Sequence, residues 1–315
     1  MIPSRTHAVR LTRSQIDNAA LMSLAQAIRT QPQKYTLREK EIVTRGQEFF
    51  QDCNRNSSAY KTLRSPDPGV VIRAMHARGD SVATGVATTV IDADVATCLA
   101  HEFTKDSRAA TAKRKSNRTV NVALRKLNDH SHLYLTVRNL GIRGLFDREF
   151  RVRGVWQLYT DGAAILVYED TTDLDQEYPP KAGNVVASIQ TACFFKPLSS
   201  VHGIPQTKVT FVARADLKGF ISAIFSNPLA GKVFSNLPEL RRRFSQGHRI
   251  DAANRLVICE SIKTRNTYRA TDLGSSWLDE MKAKVRDDDR IETRKIKLKI
   301  HLWLLRQGVL LFAHS

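Results

Sequence analysis

A two-residue alternation of apolar and polar side chains over residues 146–158 constrains this chain more than any other feature of its sequence. The apolar or small side is made by Phe150, Val152, Gly154, Trp156 and Leu158. The polar side is made by Glu149, Arg151, Arg153 and Gln157. This period predicts a half-buried strand. Because an Asp161-Gly162 turn and an aliphatic stretch at 163–168 follow it, we predict a β-hairpin.

Short alternating segments elsewhere predict a mostly antiparallel sheet around this hairpin. They lie at residues 81–91, 119–124, 132–138, 184–195 and 208–214. In two of them we expect an apolar side to face the core, namely Leu133, Leu135 and Val137 in one and Val209, Phe211 and Ala213 in the other. Asp92 or Asp94 is placed to cap a short helix over residues 95–103. Proline and glycine at 65–69 mark a break, after which we expect a helix to begin.

The spacing of apolar residues becomes helical after residue 219. One broad apolar stripe predicts a long helix over residues 220–244. Its members are Phe220, Ile221, Ile224, Phe225, Leu229, Val233, Phe234, Leu237, Leu240 and Phe244. A run of strands followed by a long amphipathic helix predicts an α+β protein.

These features resemble the START family, the StAR-related lipid-transfer domains. The residues that match the family's central hairpin are Arg148-Glu149-Phe150, Trp156, Asp161-Gly162 and the aliphatic residues 165–167. Residues 216–221 are similar to the start of the family's last helix, although Ser222 stands where the family usually has proline. The resemblance implies a divergent member with a helix-grip fold, in which a curved antiparallel sheet wraps around a long C-terminal helix.

The resemblance leaves sequence on both sides of the matched region. We predict a helical N-terminal extension at 1–56, a START-like domain at 57–250, and a linker with a partial second START-like repeat at 251–315. The second repeat is inferred from the similarity of residues 72–82 to residues 281–291, for which chance similarity is the alternative.

The net charge of +18 favours anionic partners, among which we expect a peripheral contact with an anionic membrane surface. No apolar run approaches the roughly 20 residues that span a bilayer, so a transmembrane segment is not expected. The N-terminus lacks the apolar segment of a secretory signal, and the four cysteines show no CxxC spacing. These features favour a cytoplasmic protein with reduced thiols.

The sequence contains no motif that indicates catalysis or a cofactor. GxGxxG, the phosphate-binding GxxxxGK[ST], HExxH and GxSxG are all absent. His130 and His132 lie beside Asp129 at a spacing that could hold a metal, but the segment 128–131 is more simply a polar hairpin turn. We therefore expect no enzyme activity, no cofactor and no metal.

The START resemblance implies binding of a lipid or another apolar small molecule, for transfer or sensing, between the sheet and the last helix. The residues expected to line this site are Arg148, Trp156, Leu158, Phe211, Phe220, Ile224 and Phe225. Arg148 and Glu149 are expected to form a buried pair, which would be either a headgroup anchor or a structural ion pair.

Two other functions stay open on the sequence. A degenerate START-like scaffold with a filled core would act as a protein-interaction module. A basic protein could also bind nucleic acid through residues 113–115 or 241–243. We do not expect nucleic acid as the partner, because aromatic side chains for base stacking are absent around Lys113 and because a helix C-terminus favours cations without any partner.

Overall fold

A ten-stranded sheet forms the centre of the structure. The structure is a computed structural model, and it describes residues 13–76, 82–105, 119–140, 144–218 and 236–270. The strands are β1 Lys61–Leu63, β2 Val70–His76, β3 Val82–Ile91, β4 Thr119–Lys126, β5 Ser131–Arg138, β6 Arg148–Leu158, β7 Ala164–Asp170, β8 Val185–Val186, β9 Ser188–Val201 and β10 Ile204–Asp216. Their order is β1-β2-β3-β10-β9-β7-β6-β5-β4, with β8 beside β6. Of the described pairs, only β6 with β8 is parallel. The predicted α+β fold with a mostly antiparallel sheet is confirmed.

The helices of the described residues are α1 Arg13–Thr30, α2 Leu37–Asn56, α3 Val95–Phe103, α4 Asn236–Phe244 and α5 Gly247–Ala270. A capping box fixes the start of α2, since the Thr36 hydroxyl accepts from the Glu39 backbone N–H while the Glu39 carboxylate accepts from that of Thr36. Asp94 caps α3 by accepting a hydrogen bond of 3.0 Å from the backbone N–H of Thr97. Of the two predicted caps, the second is therefore the one used.

The predicted central hairpin is formed by β6 and β7. Gly162 lies in its turn with φ of 79°, a left-handed conformation that glycine adopts without steric cost. The helix expected after residues 65–69 is replaced by strand β2. The β-branched residues Val70 and Ile72 instead pair with Thr89 and Ala87 of β3.

We call the side of the sheet that carries Trp156 the inner face. Its buried apolar residues are Ile72, Ala87, Ile91, Trp156, Ala164, Leu166, Cys193, Phe195, Val209 and Ala213. Three helices add side chains to the same cluster, including Ile28 from α1, Leu99 from α3 and Leu240 from α4. Helix α4 is the described end of the helix predicted over 220–244, and residues 219–235 lie outside the described part of the chain.

Helix α2 covers the opposite, outer face of the sheet. Its buried residues Ile42, Val43, Phe49 and Cys53 pack with Val86, Val155, Ile165, Val167, Ala192 and Val212. The helix approaches the sheet closely at Gly46, where a Cβ atom would lie 2.7 Å from Cγ1 of Val167. The N-terminal residues are thus part of the packing of the sheet.

The burial predicted for Leu133, Leu135 and Val137 is confirmed, but these residues lie on the outer side of the sheet. Leu133, Leu135 and Val137 do not join the inner cluster but pack with Leu174, which belongs to the segment after β7. The register explains this, because Leu133 and Leu135 lie opposite Arg153 and Arg151, on the side of β6 that does not carry Trp156. The inner face of β5 is therefore made by its polar residues, His132, Tyr134, Thr136 and Arg138.

Strand β6 is buried on both sides for its first nine residues, although its polar alternation predicted one exposed face. Arg151 donates to Glu149 and to Asp175, the latter at 2.8 Å. Arg153 donates to Glu39 of α2 at 3.3 Å. On this side of β6 the charged side chains are paired with one another instead of being exposed to water.

The chain divides into two compact units, Met1–Gly247 and His248–Ser315. The first holds the sheet and helices α1 to α4, and the second holds nearly all of α5. The partial second repeat predicted from residues 281–291 lies outside the described residues, and the domain limits drawn from the sequence stay predictions. Among the described helices, none is long and apolar enough to cross a membrane.

Candidate ligand-binding site

The inner face carries the largest buried apolar cluster of the described residues. Leu158, Tyr168 and Phe211 pack against its buried cluster but stay partly exposed. They come from β6, β7 and β10, so they lie on the inner face of three strands of one sheet. Two of the predicted lining residues, Leu158 and Phe211, are among them.

Trp156 lies on the inner face, as predicted, and its side chain is 1% exposed. Its indole Nε1 donates to the backbone oxygen of Asp129 at 3.2 Å. The ring of Phe103 from α3 meets it edge-on, with 6.3 Å between centroids. Trp156 is thus a fixed wall of the core, held by packing and by a satisfied polar group.

Arg148 does not form the expected pair with Glu149. Its guanidinium donates to the backbone oxygens of Leu217 at 2.7 Å, of Lys218 at 3.1 Å and of Phe146. Glu149 points to the other side of β6 and accepts from Arg151 and Asn184. Strand alternation separates the two side chains, so Arg148 anchors the chain segment that leaves β10.

Three predicted lining residues, Phe220, Ile224 and Phe225, lie outside the described residues. Their role stays a prediction.

Polar atoms without hydrogen-bond partners lie along the inner face of β5 and on β7, which are the two strands on either side of β6. Within the described residues, Nε2 of His132, Oγ1 of Thr136, Nε of Arg138 and the hydroxyl of Tyr168 are all buried and unpartnered. His132 and Thr136 are 3% and 4% exposed as whole residues. Buried polar groups in folded proteins are nearly always hydrogen-bonded, so each of these atoms requires an explanation.

His132 and Tyr168 converge from both sides over Gly154. The three residues lie side by side, because Gly154 pairs with His132 on β5 and with Tyr168 on β7. A Cβ atom at 154 would lie 2.9 Å from Cδ1 of Tyr168 and 3.0 Å from Nε2 of His132. The centroids of the His132 and Tyr168 rings are 5.5 Å apart. The ring centroid of Phe103, from α3, lies 4.4 Å from that of the imidazole. Glycine is therefore required for this arrangement.

Both polar groups of the pair are uncharged near neutral pH. Burial, with help from the charge of Lys105, lowers the pKa of His132 to about 3. Burial, with the negative charge of Glu102 next, raises the pKa of the Tyr168 hydroxyl well above its ordinary value. The ammonium group of Lys105 lies 5.2 Å from the centre of the Tyr168 ring and 4.0 Å from the Glu102 carboxylate. These two charges offset each other beside the neutral pair.

The sequence contains a signal for this pair that the interpretation of 128–131 as a polar turn missed. His132 begins a row of polar residues at i, i+2 and i+4 in β5, and such a row occupies one face of a strand. Either this polar row or the apolar row that begins at Leu133 could form the inner face of β5. Which row does so depends on the segment that covers the outer side of the sheet, and strand alternation does not reveal that segment.

A separate cluster of charges lies on the outer side and holds α2 in place. The Glu39 carboxylate accepts from Asn128 at 2.8 Å and lies 3.2 Å from Nε2 of His130 and 3.3 Å from Arg153. Burial alone would raise the pKa of Glu39, but hydrogen bonds from the Thr36 backbone, Asn128 and His130 outweigh burial and lower it to about 2. The cluster is a structural anchor, and no group of three or more metal-binding side chains occurs in the described part of the chain.

Comparison with known proteins finds similarity in structure only. No protein-family profile and no curated protein sequence matches the chain. Human StAR-related lipid transfer protein 5 is similar with a TM-score of 0.49 and 16% identity, over 67% of this chain and 99% of that one. The human StarD13 (DLC2) lipid transfer and protein localization domain gives a TM-score of 0.46 and 17% identity, over 63% and 97%.

A STAR-related lipid transfer protein fragment from Xanthomonas axonopodis gives a TM-score of 0.46 and 15% identity, over 59% of this chain and 99% of that one. These likenesses concern the fold alone.

Proposed function

We propose that the first unit binds a lipid-like apolar small molecule at its inner face and carries it without chemical change. The observation that supports this most directly is the set of buried, unpartnered polar atoms on β5 and β7 beside the apolar cluster of the inner face. A bound molecule with a polar end would satisfy them, and binding sites of small molecules are typically apolar with a few such polar groups.

The apolar part of the wall would supply most of the affinity. Burial of apolar surface contributes about 25 cal/mol per Å². The partly exposed Leu158, Tyr168 and Phe211 are the described side chains that a ligand would cover further. Transfer between membranes is the use that we propose for the bound molecule. Peripheral contact with an anionic bilayer, favoured by the net charge of +18, would support that use.

Native mass spectrometry of the purified full chain tests the proposal directly. We expect a fraction of the protein to carry extra mass that organic extraction removes and that tandem mass spectrometry identifies as a lipid. Titration of the extracted protein with the neutral fluorescent dye Nile red should then show saturable binding.

A filling variant separates a ligand carrier from a scaffold with a filled core. Leu158→Trp should weaken Nile red binding while leaving the free energy of unfolding nearly unchanged, because the larger ring would occupy space that the ligand uses. In a filled core the same change costs about 1 to 3 kcal/mol through strain. Val90→Trp is the control, since Val90 is 41% exposed and points to the outer side. If Leu158→Trp lowers the free energy of unfolding by this amount and the unmutated protein binds no dye, ligand carriage is rejected and the protein-interaction scaffold is favoured.

A further inference from the structure

We propose that the end of the β9–β10 hairpin, residues 196–208, docks on the surface of an anionic bilayer with its aliphatic side chains inserted. We call these residues the hairpin end. The inference rests on the peripheral membrane contact of the proposed function and assigns that contact to one surface. The juxtaposition that supports it is a pair of opposed lysines, Lys196 and Lys208, beside two exposed aliphatic residues, Leu198 and Val201.

The hairpin end continues past the strands that flank β9 and β10. Strand β7 pairs with β9 no further than Phe195, and β3 pairs with β10 only from Thr207 onward. Residues 196–203 are all exposed. The β10 side is fixed, because Ile204 is buried and the Thr207 hydroxyl donates to the backbone oxygen of Ala93 at 2.7 Å. The hairpin end is therefore held in place while its β9 side is open to water.

The two lysines carry charge that no described residue balances. Lys196 and Lys208 lie directly opposite each other in the register of β9 and β10, and both are exposed. Neither forms an ion pair with any residue that the structure describes. Like charges at opposed positions of two strands are destabilising. Anionic headgroups would remove this repulsion, so the pair is complementary to a negative surface.

Exposed aliphatic side chains flank the lysines. Leu198 is 41% exposed and Val201 is 39% exposed. On β3, Val90 lies directly opposite Lys208 and is 41% exposed. The interface of an anionic bilayer accepts both kinds of side chain, because aliphatic groups enter the acyl boundary while ammonium groups stay at the phosphates.

Two other classes of partner fit the hairpin end less well. A strand of another protein adds to a free sheet edge through backbone hydrogen bonds. Pro197 and Pro205 remove one N–H from each strand of the hairpin end and so oppose such an addition. Single-stranded nucleic acid stacks its bases on aromatic side chains, and residues 196–208 contain no Phe, Tyr or Trp. The observations therefore favour a bilayer.

Cosedimentation of the full chain with vesicles tests the charge requirement. We expect binding to phosphatidylcholine vesicles that contain phosphatidylserine and almost none to vesicles of phosphatidylcholine alone. Lys196→Gln combined with Lys208→Gln should lower the partition coefficient about ten- to thirtyfold, since each lysine near an anionic surface contributes about fivefold. Lys34→Gln combined with Lys181→Gln is the matched control, because both lysines are exposed and lie outside the hairpin end.

A fluorescent label tests insertion at the hairpin end. Of the four cysteines only Cys259 is exposed, so a Cys259→Ser background leaves an added thiol free for labelling. With the environment-sensitive fluorophore NBD on Ser199→Cys, emission should rise and shift to the blue on phosphatidylserine vesicles. The same label on Ser58→Cys, which is also an exposed position, is the control and should change little. Thermal unfolding checks that every variant is folded.

The outcomes separate this inference from the proposed function. The inference is wrong if the unmutated protein does not bind the anionic vesicles, or if the two lysine variants bind them equally well. It is also wrong if the label at 199 does not respond more than the label at 58, and a response of the lysines alone would then point to an acidic protein as the partner. Nile red titration contains no vesicles, so it decides on apolar ligand carriage independently of all these results.

Discussion

Single residues set the shape of the inner face, and Trp156 is the largest side chain among those that are fully buried in the described part of the chain. We expect Trp156→Ala to lower the free energy of unfolding by about 3 to 5 kcal/mol, because a large aromatic side chain leaves a cavity that its surroundings fill only in part. Urea unfolding followed by far-UV circular dichroism measures this. Phe146→Ala is the matched control, since Phe146 is 64% exposed. A loss near that of the control would mean that Trp156 does not support the core.

A second prediction concerns Gly154, because any side chain at this position would contact the rings of both His132 and Tyr168. A Cβ atom would lie 2.9 Å from Cδ1 of Tyr168, closer still to Cε1 of the same ring, and 3.0 Å from Nε2 of His132. We expect Gly154→Ala to cost about 1 to 3 kcal/mol in urea unfolding through overpacking. Gly247→Ala should be close to neutral, since its Cβ would meet nothing nearer than Ser245 Oγ at 3.7 Å. Equal stability of the two variants would show that the rings move apart easily.

Residue positions were predictable from the sequence only where a local pattern determines them. Trp156 was placed correctly because strand alternation fixes its side of β6. The partners of Arg148 could not be predicted, since the backbone oxygens of Leu217 and Lys218 lie about 70 positions along the chain. The His132 and Tyr168 pair depends in the same way on strand register, which brings β5 and β7 to either side of Gly154.

At the scale of elements, Glu39 connects α2 to the sheet and makes this contact sensitive to acid. Its pKa in the folded protein, about 2, is below its ordinary value of 4.5. The ionised carboxylate therefore stabilises the fold above about pH 4.5, and this contribution is lost as the pH falls through 2. We expect Glu39→Gln to be less stable than the unmutated protein at pH 7, with a difference that shrinks steadily between about pH 5 and pH 2.

Urea unfolding at a series of pH values measures this difference, and Glu41→Gln on the same helix is the control. The Glu41 side chain is 65% exposed, so its replacement should give a small difference at every pH. A Glu39→Gln difference that stays constant with pH would mean that lost packing, not charge, is responsible.

The elements themselves were largely predictable, and the facing was predictable for β6 and β10 but not for β5. The strands near 82–91, 131–138 and 204–216 follow from alternation, and the cap of α3 follows from a carboxylate at its start. For β5 alternation gave two candidate faces, and the sequence favoured the apolar one. That face is indeed buried, but by Leu174 on the outer side. A strand covered on both sides gives no polarity signal that identifies its inner face.

At the scale of the whole molecule, the sheet of the first unit is covered on both faces, and the N-terminal helices contribute to both layers. Helix α1 places Ala25 and Ile28 in the inner cluster, and α2 places Ile42 and Phe49 against the outer face. A chain that starts at residue 57, the limit predicted for the START-like domain, would therefore expose apolar patches on two sides of the sheet. Contiguous apolar patches that are exposed to water promote association between protein molecules.

We accordingly expect a chain that starts at residue 57 to elute as aggregates in size-exclusion chromatography and to bind the dye anilinonaphthalene sulfonate strongly. A chain that starts at Arg13 keeps α1 and α2 and should match the full-length protein in elution volume and in its urea midpoint. The shorter chain also loses Glu39, which leaves Arg153 without its partner on α2 and adds the cost of a poorly paired buried charge. A soluble, monomeric protein from residue 57 with an unchanged midpoint would show that the helical extension is an independent addition to the fold and not part of its core.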